Sequence, residues 1–226
     1  MIQACYYLIM VITYYGQAMV KFQLGDMVIL ANPISKEFDP KAPKMSAGVV
    51  LVGCSETWAD GRGNVGNSDR PFIIDGPGEY EVKGVFIQGM NTVGPAGEDD
   101  PGRSKINTAY TIDLEGIRTA YLGALASEDL APEVVEELGF IDIAVVPVGG
   151  HGTLEAKKAA KLVTTLAPKM VIPILYQEDV TGSLLSTFLE EIGAKDLQSQ
   201  EKIALKPKDL VGLEAEVTVL APVNKS

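Results

Sequence analysis

The chain changes rhythm near its midpoint, and few architectures accommodate both halves. Up to residue 122, short apolar runs are separated by turn residues. Val11–Tyr15, Ala18–Phe22 and Met27–Ala31 are parted by Gly16-Gln17 and Leu24-Gly25-Asp26, the spacing of hairpins. Gly48–Val52 is a continuous apolar run suited to a buried strand, and further strands are predicted at Phe72–Ile74, Tyr80–Val82, Val85–Gly89, Ala109–Asp113 and Arg118–Leu122. Beyond this point strands alternate with helices. Pro132–Leu138 sets Val134, Val135 and Leu138 on one helical face, with Pro132 where a missing N–H costs little and Gly139 to end the helix. Ile141–Val148 and Met170–Leu175 read as buried strands. Thr153–Leu166 is the strongest helix, with Thr153 as its expected cap, Gly182–Ile192 is a third, and a last strand falls near Ala215–Leu220. Hairpins followed by alternating strands and helices imply two sheets with helices outside them. The 226 residues show no repeat and no linker, so 1–226 reads as one domain, with 1–9 an extension ahead of Met10, an alternative start.

Composition narrows the function. Two cysteines make no disulfide framework. With 19 basic against 30 acidic residues, a formal charge of −11, the chain lacks the basic stripe that nucleic acid requires. The apolar run from Ala4 to Tyr15 is shorter than the roughly 20 residues of a membrane-spanning helix. It also lacks the basic start and small-residue cleavage site of a secretory leader. The expectation is a cytoplasmic protein with neither nucleic acid nor membrane as partner. There is a single histidine, His151. Hydrolytic zinc sites commonly draw two or three ligands from imidazole, and one cannot build such a site.

Several segments carry a family resemblance: Ile12-Thr13-Tyr14-Tyr15-Gly16-Gln17, Asn32-Pro33, Val49-Val50-Leu51-Val52, Tyr121-Leu122-Gly123, Val146-Pro147-Val148-Gly149-Gly150, Ile172-Pro173 and, most specific, Gly76-Pro77-Gly78-Glu79-Tyr80-Glu81-Val82. In this order, from Met10 to Leu220, they resemble the metallo-β-lactamase superfamily, in its branch around the L-ascorbate-6-phosphate lactonases. The resemblance implies an α+β fold, a four-layer αββα sandwich, with a site for zinc or another divalent metal at one edge of the two sheets.

The same alignment implies that the metal ligands are gone. The family's HxHxDH motif follows the strand matching Val49–Val52, where this chain reads Gly53-Cys54-Ser55-Glu56-Thr57-Trp58-Ala59-Asp60. Cys54 and Glu56 take the places of the first two histidines, and Trp58 and Ala59 those of the aspartate and last histidine. Ala124 stands for the bridging aspartate, Leu175 for the closing histidine and Asn32 for the aspartate of the usual Asp-Pro pair. No counterpart of a further histidine occurs in 90–103. Family members use metal to acidify a bound water and polarise the substrate. Ala, Leu and Trp offer a metal no lone pair. The expected protein is a pseudo-hydrolase without metal cofactor, acting as a binding or structural module towards a protein or small-molecule partner, with homo-oligomers open.

A changed enzyme is the alternative. Cys54 and Glu56 could ligate a metal, since thiolate and carboxylate both bind zinc, although no third ligand is evident. Cys54 could instead pair with His151 as nucleophile and base, both lying just after buried strands. Against these stand a half-buried thiol beside a solvated carboxylate, and a surface histidine. Trp58 reads as filler of the volume a metal would occupy, or else as a binding anchor. Glu79 and Glu81 fall on one outer strand face and read as structural. Gly61-Arg62-Gly63-Asn64-Val65-Gly66 has the letters of a dinucleotide fingerprint without the following helix. Gly149-Gly150-His151-Gly152 precedes a helix and reads first as a tight turn, second as an anion site. The stretch from Gly94 to Ser104, with Glu98, Asp99 and Asp100, is expected to be a surface loop.

Overall fold

The structure, a computed structural model, describes residues 8–66, 70–96, 104–176, 182–194 and 197–223. In chain order the first elements are β1 (Met10–Gly16), β2 (Met19–Leu24), β3 (Met27–Ala31), β4 (Val49–Leu51), β5 (Phe72–Ile74), β6 (Gly78–Val82), β7 (Val85–Ala96), β8 (Ser104–Leu114) and β9 (Ile117–Tyr121). Then come α1 (Pro132–Leu138), β10 (Ile143–Pro147), α2 (Ala156–Leu166), β11 (Met170–Ile174), α3 (Ser183–Glu191), β12 (Lys202–Leu205) and β13 (Glu216–Val217). One sheet has the order β12-β1-β2-β3-β4-β5, the other β13-β11-β10-β9-β8-β7-β6.

Alternation along the strands decides which side chains meet. Ile29, Ala31, Val49 and Leu51 of the first sheet face Tyr121, Val145 and Ile172 of the second in one buried layer. The residues between them point outward. In the second sheet these are Ala120, Ala144, Val146 and Val171, which pack against Val134 and Leu138 of α1, Ala159 and Val163 of α2 and Phe188 of α3. In the first sheet they are Leu30, Val50 and Val52, covered by Ile34, Ala42 and Ala47 from the β3–β4 connection. The sandwich is the expected one, its fourth layer an irregular segment.

Three readings of the sequence need correction. Helix α2 starts at Ala156 with Glu155 at its N-cap, not at Thr153. The Thr153 hydroxyl donates to the carbonyls of Gly149 (2.8 Å) and Gly150 (2.9 Å), so it closes the preceding turn and does not cap the helix. The expected loop from Gly94 is partly strand: β7 continues to Ala96 opposite Ser104, and a register shift between Val93 and Ala96 accommodates Pro95. Glu98, Asp99 and Asp100 lie outside the described residues, as do 1–7 of the expected extension. Strand β12 has no signal of its own in the sequence, because Lys202-Ile203-Ala204-Leu205 is too short and mixed to stand out. It is fixed by pairing with β1.

Tyrosines tie the layers together. Tyr110 donates to the Val52 carbonyl at 2.8 Å and Tyr121 to that of Ala18 at 2.5 Å, both from the second sheet to the first. Burial raises the Tyr110 phenol and that of fully enclosed Tyr121, beside which Cys54, Tyr14 and Tyr110 act in the same direction. Burial pushes Tyr176 up to about 12. An unfolded phenol titrates near 10. Because the folded values are higher, the native state holds these protons longer, and the stability they confer is complete below pH ~10 and lost as pH rises through ~12. An alkaline titration should therefore show the phenolate absorbance of these three tyrosines appearing together with loss of circular dichroism. Ionisation of all eight tyrosines of the chain in a still folded protein would contradict these environments.

Candidate functional site

The carboxyl ends of β3, β4, β9, β10 and β11 and the β1–β2 turn converge on one edge of the sandwich, where open sheets of this kind collect ligand sites. At its base lies a knot of buried amides. Asn32, in left-handed conformation (φ +42°), accepts the Gly53 N–H at 2.7 Å. Asn107 accepts the Ala124 N–H at 2.9 Å and donates to the Leu122 carbonyl (3.0 Å) and the Thr92 hydroxyl (2.8 Å). The Thr108 N–H reaches the Gly53 carbonyl at 2.7 Å and so joins the sheets directly. A Cβ at Gly53 would stand 2.9 Å from the Thr108 carbonyl and 3.1 Å from the Asn107 amide oxygen, so no larger residue fits there.

Above the knot the 53–61 loop folds inward. Cys54, Trp58 and Ala59 enter the core beside Tyr121, Ala124 and Leu175, while Glu56 is half-buried, its carbonyl accepting the N–H groups of Ala59 (2.8 Å) and Asp60 (2.7 Å). Gly61 presses on the β3–β4 connection so closely that a Cβ would lie 2.2 Å from the Ile34 carbonyl oxygen. Arg62 then clamps the loop, holding Asp60 through two bonds (2.7 and 2.8 Å) and Asp75 at 2.6 Å. Its hydrogen bond to Asp60, more than any other influence, makes it hold its proton more firmly than usual.

The top of the site is aromatic. The Trp58 indole stacks on the His151 imidazole, centroids 4.4 Å apart and planes within 8°. Phe38 meets the His151 ring edge-on, with centroids 5.8 Å apart. His151 Nε2 and the Gln17 amide oxygen are 2.8 Å apart. His151 has φ +49° between Gly150 and Gly152, which are also left-handed, so the turn aims its ring at Trp58. The Leu175 N–H donates to the Tyr14 hydroxyl at 2.9 Å. Beside the stack opens a cleft of about 410 Å³ lined by Tyr15, Gln17, Ile34, Phe38 and Asp39 among others. Another cleft, of about 340 Å³, lies between β7, β8 and the start of α1 and contains none of these residues.

The singled-out residues are thus gathered at one edge: Asn32, Cys54, Glu56, Trp58, Ala59, Ala124, His151 and Leu175. Together they do not fit a metal ion. Ala59, Ala124 and Leu175 are buried and carry no donor atom. Asn32 turns an amide nitrogen with no hydrogen-bond partner into the interior, a donor that wants an acceptor and repels a cation. Among the described residues, no group of three or more His, Cys, Asp or Glu side chains is placed to hold a metal ion. Gln17, Phe38 and Asn107 escape a reading of the sequence, because each works through a partner at least 15 residues away. A lone Asn in the apolar-flanked Ile106-Asn107-Thr108-Ala109-Tyr110 run was the one available signal.

Fold and site edge define a sandwich of the metallo-β-lactamase type. Residues 11–175 match the β-lactamase superfamily domain model, and the chain belongs to that superfamily. Over 150 residues it is 34% identical to a protein of Thermococcus onnurineus named UPF0173 metal-dependent hydrolase, an alignment covering 64% of this chain and 56% of that protein. The chain thus spans little more than half the length of that relative. A protein of the same name from Aeropyrum pernix is 25% identical over 233 residues, 87% of this chain and 94% of its own. Among solved structures, a candidate Zn-dependent hydrolase of the superfamily from Thermotoga maritima superposes with a TM-score of 0.69 at 28% identity, covering 93% of this chain and 98% of that one.

The Trp58–His151 stack should be energetically coupled. In a double-mutant cycle, Trp58→Leu and His151→Ala together should destabilise less than the sum of the single changes, by about 0.5–1.5 kcal/mol, the range for stacked aromatic pairs. Urea unfolding curves measure this, and strict additivity would mean that the rings touch without supporting each other.

Proposed function

We propose that this protein is a non-catalytic member of the superfamily, a pseudo-hydrolase whose site edge serves as a binding or structural surface for a protein or small-molecule partner. One observation carries this reading: at the edge where the family resemblance implies a metal, this chain sets the Trp58–His151 stack beside the buried, donor-free side chains of Ala59, Ala124 and Leu175. Metal hydrolysis needs a cation held by several lone pairs, with a water in an open position. Trp58, Ala59, Ala124 and Leu175 supply no such lone pair, and the whole sequence contains one histidine. The cleft beside the stack remains accessible, and Asp39 is the charged side chain among those that line it.

Two measurements test the proposal. Protein purified without chelator or His-tag should contain well below one equivalent of zinc, iron or manganese, and neither zinc nor a chelator should move its melting temperature. Metal near one equivalent per chain would overturn the reading. The second concerns the thiol. Cys54 is 4% exposed and packed in the core, so in a Cys5→Ser background native protein should react with a thiol reagent far more slowly than unfolded protein. Rapid stoichiometric labelling would instead favour a nucleophilic Cys54 and reopen the pairing with His151.

A further inference from the structure

We infer that β5 is a self-complementary edge through which two copies of this chain associate in antiparallel register, with Ile73 on the two-fold axis. The four strands that end the sheets are β12, β5, β13 and β6. Of these, only β5 exposes large apolar side chains, Phe72 at 49% and Ile73 at 41%. An open apolar edge is a template for another strand.

The backbone fixes the register. On the β4 side Phe72 donates to the Gly48 carbonyl at 2.9 Å, and the Ile74 carbonyl accepts from Val52 at 2.8 Å. Alternation then turns the N–H and C=O of Ile73, the C=O of Pro71 and the N–H of Asp75 away from the sheet. With Ile73 opposite Ile73 of a second copy, those two residues exchange both of their hydrogen bonds. Each Asp75 N–H then meets the Pro71 carbonyl of the other copy. Pro71, which has no N–H, loses nothing in this arrangement but its contribution to one further bond.

Side chains and charges agree. Phe72 shares the inner face with buried Ile74, so its exposed ring would lie beside Ile74 of the second copy and continue the core across the junction. The strand is entered by Arg70 and left by Asp75. Antiparallel pairing puts Arg70 one position from Asp75 of the second copy, whereas parallel pairing would place like charges together. The neighbouring edge β6 shows the opposite design. Pairing β6 with itself about Tyr80 would set exposed Glu79 against Glu81, which disfavours it. Three residues per copy cannot alone bury the ~800 Å² per partner of stable complexes. The association is therefore weak and concentration-dependent.

Sedimentation velocity of the full chain over roughly 10–500 µM, a span suited to weak association, should show a mass rising from one chain towards two. Ile73→Pro removes only the outward N–H, which the β4 ladder does not use. It deletes two hydrogen bonds per dimer and should weaken association about tenfold or more. Ile73→Lys should do the same by placing like charges at the axis. Circular dichroism and the melting temperature identify a variant that fails to fold, and the other then decides. A wild-type monomer throughout the range would overturn the proposal and leave β5 open to an extended segment of a different protein. So would a dimer that neither substitution weakens.

Discussion

The two sheets of this protein are held in register at the site edge by one hydrogen bond and the amides around it. Thr108 donates to the Gly53 carbonyl, and Asn32 and Asn107 grip the adjoining backbone, each fully buried. A buried hydrogen bond of this kind contributes about 1 kcal/mol net, but leaving its groups unpaired costs about 1–3 kcal/mol. The asymmetry makes the knot a constraint more than a source of stability. It dictates Gly53, since a Cβ there would press on Thr108 and Asn107, and it fixes where the 53–61 loop departs. Everything above it, the inward turn of Cys54 and Trp58 and the Arg62 clamp, starts from that point.

On this base the loops of the edge are tied to one another by contacts between their own side chains. They are joined pairwise: Trp58 to His151 by stacking, His151 to Gln17 by a hydrogen bond, and Asp60 to Asp75 through Arg62. Each link is worth little, since stacked rings give about 0.5–1.5 kcal/mol and part-exposed ion pairs less than about 1. They suffice because the knot and the tyrosine bridges already position the loops they connect.

Much of this was legible in the residues. The apolar runs located β3 and β5 to the residue and most other strands to within two or three, because an uninterrupted apolar stretch between polar and turn residues marks a strand whether it is enclosed or, like β5, lies at a sheet edge. Pro132 and Gly139 bracketed α1 for the same local reason. The burial of Trp58 also followed from its place in the loop. What could not be read was long-range. Nothing in Gly150-His151-Gly152 announces an indole 93 positions earlier, and the polar stretch from Gly94, which reads as a loop, is strand as far as Ala96 because a bulge lets the pairing with β8 continue. Thr153 misled because a hydroxyl before a helix can serve the turn behind it as readily as the N–H groups ahead.

The backbone at the site edge takes left-handed conformations at residues other than glycine. Leu175 sits at φ +63°, a conformation that costs a branched residue of this kind about 1–2 kcal/mol, and Asn32 and His151 are also left-handed. For His151 the turn aims the ring at Trp58, and for Asn32 it presents the amide to Gly53. Leu175 gains no polar contact through its side chain. Its left-handed turn instead serves the main chain, whose N–H meets the Tyr14 hydroxyl and the Gln17 carbonyl. Strain at this position is therefore balanced by the link between β11 and the β1–β2 turn, the same turn that holds His151. The conformation belongs to the scaffold of the edge and is independent of what the side chain at 175 can coordinate.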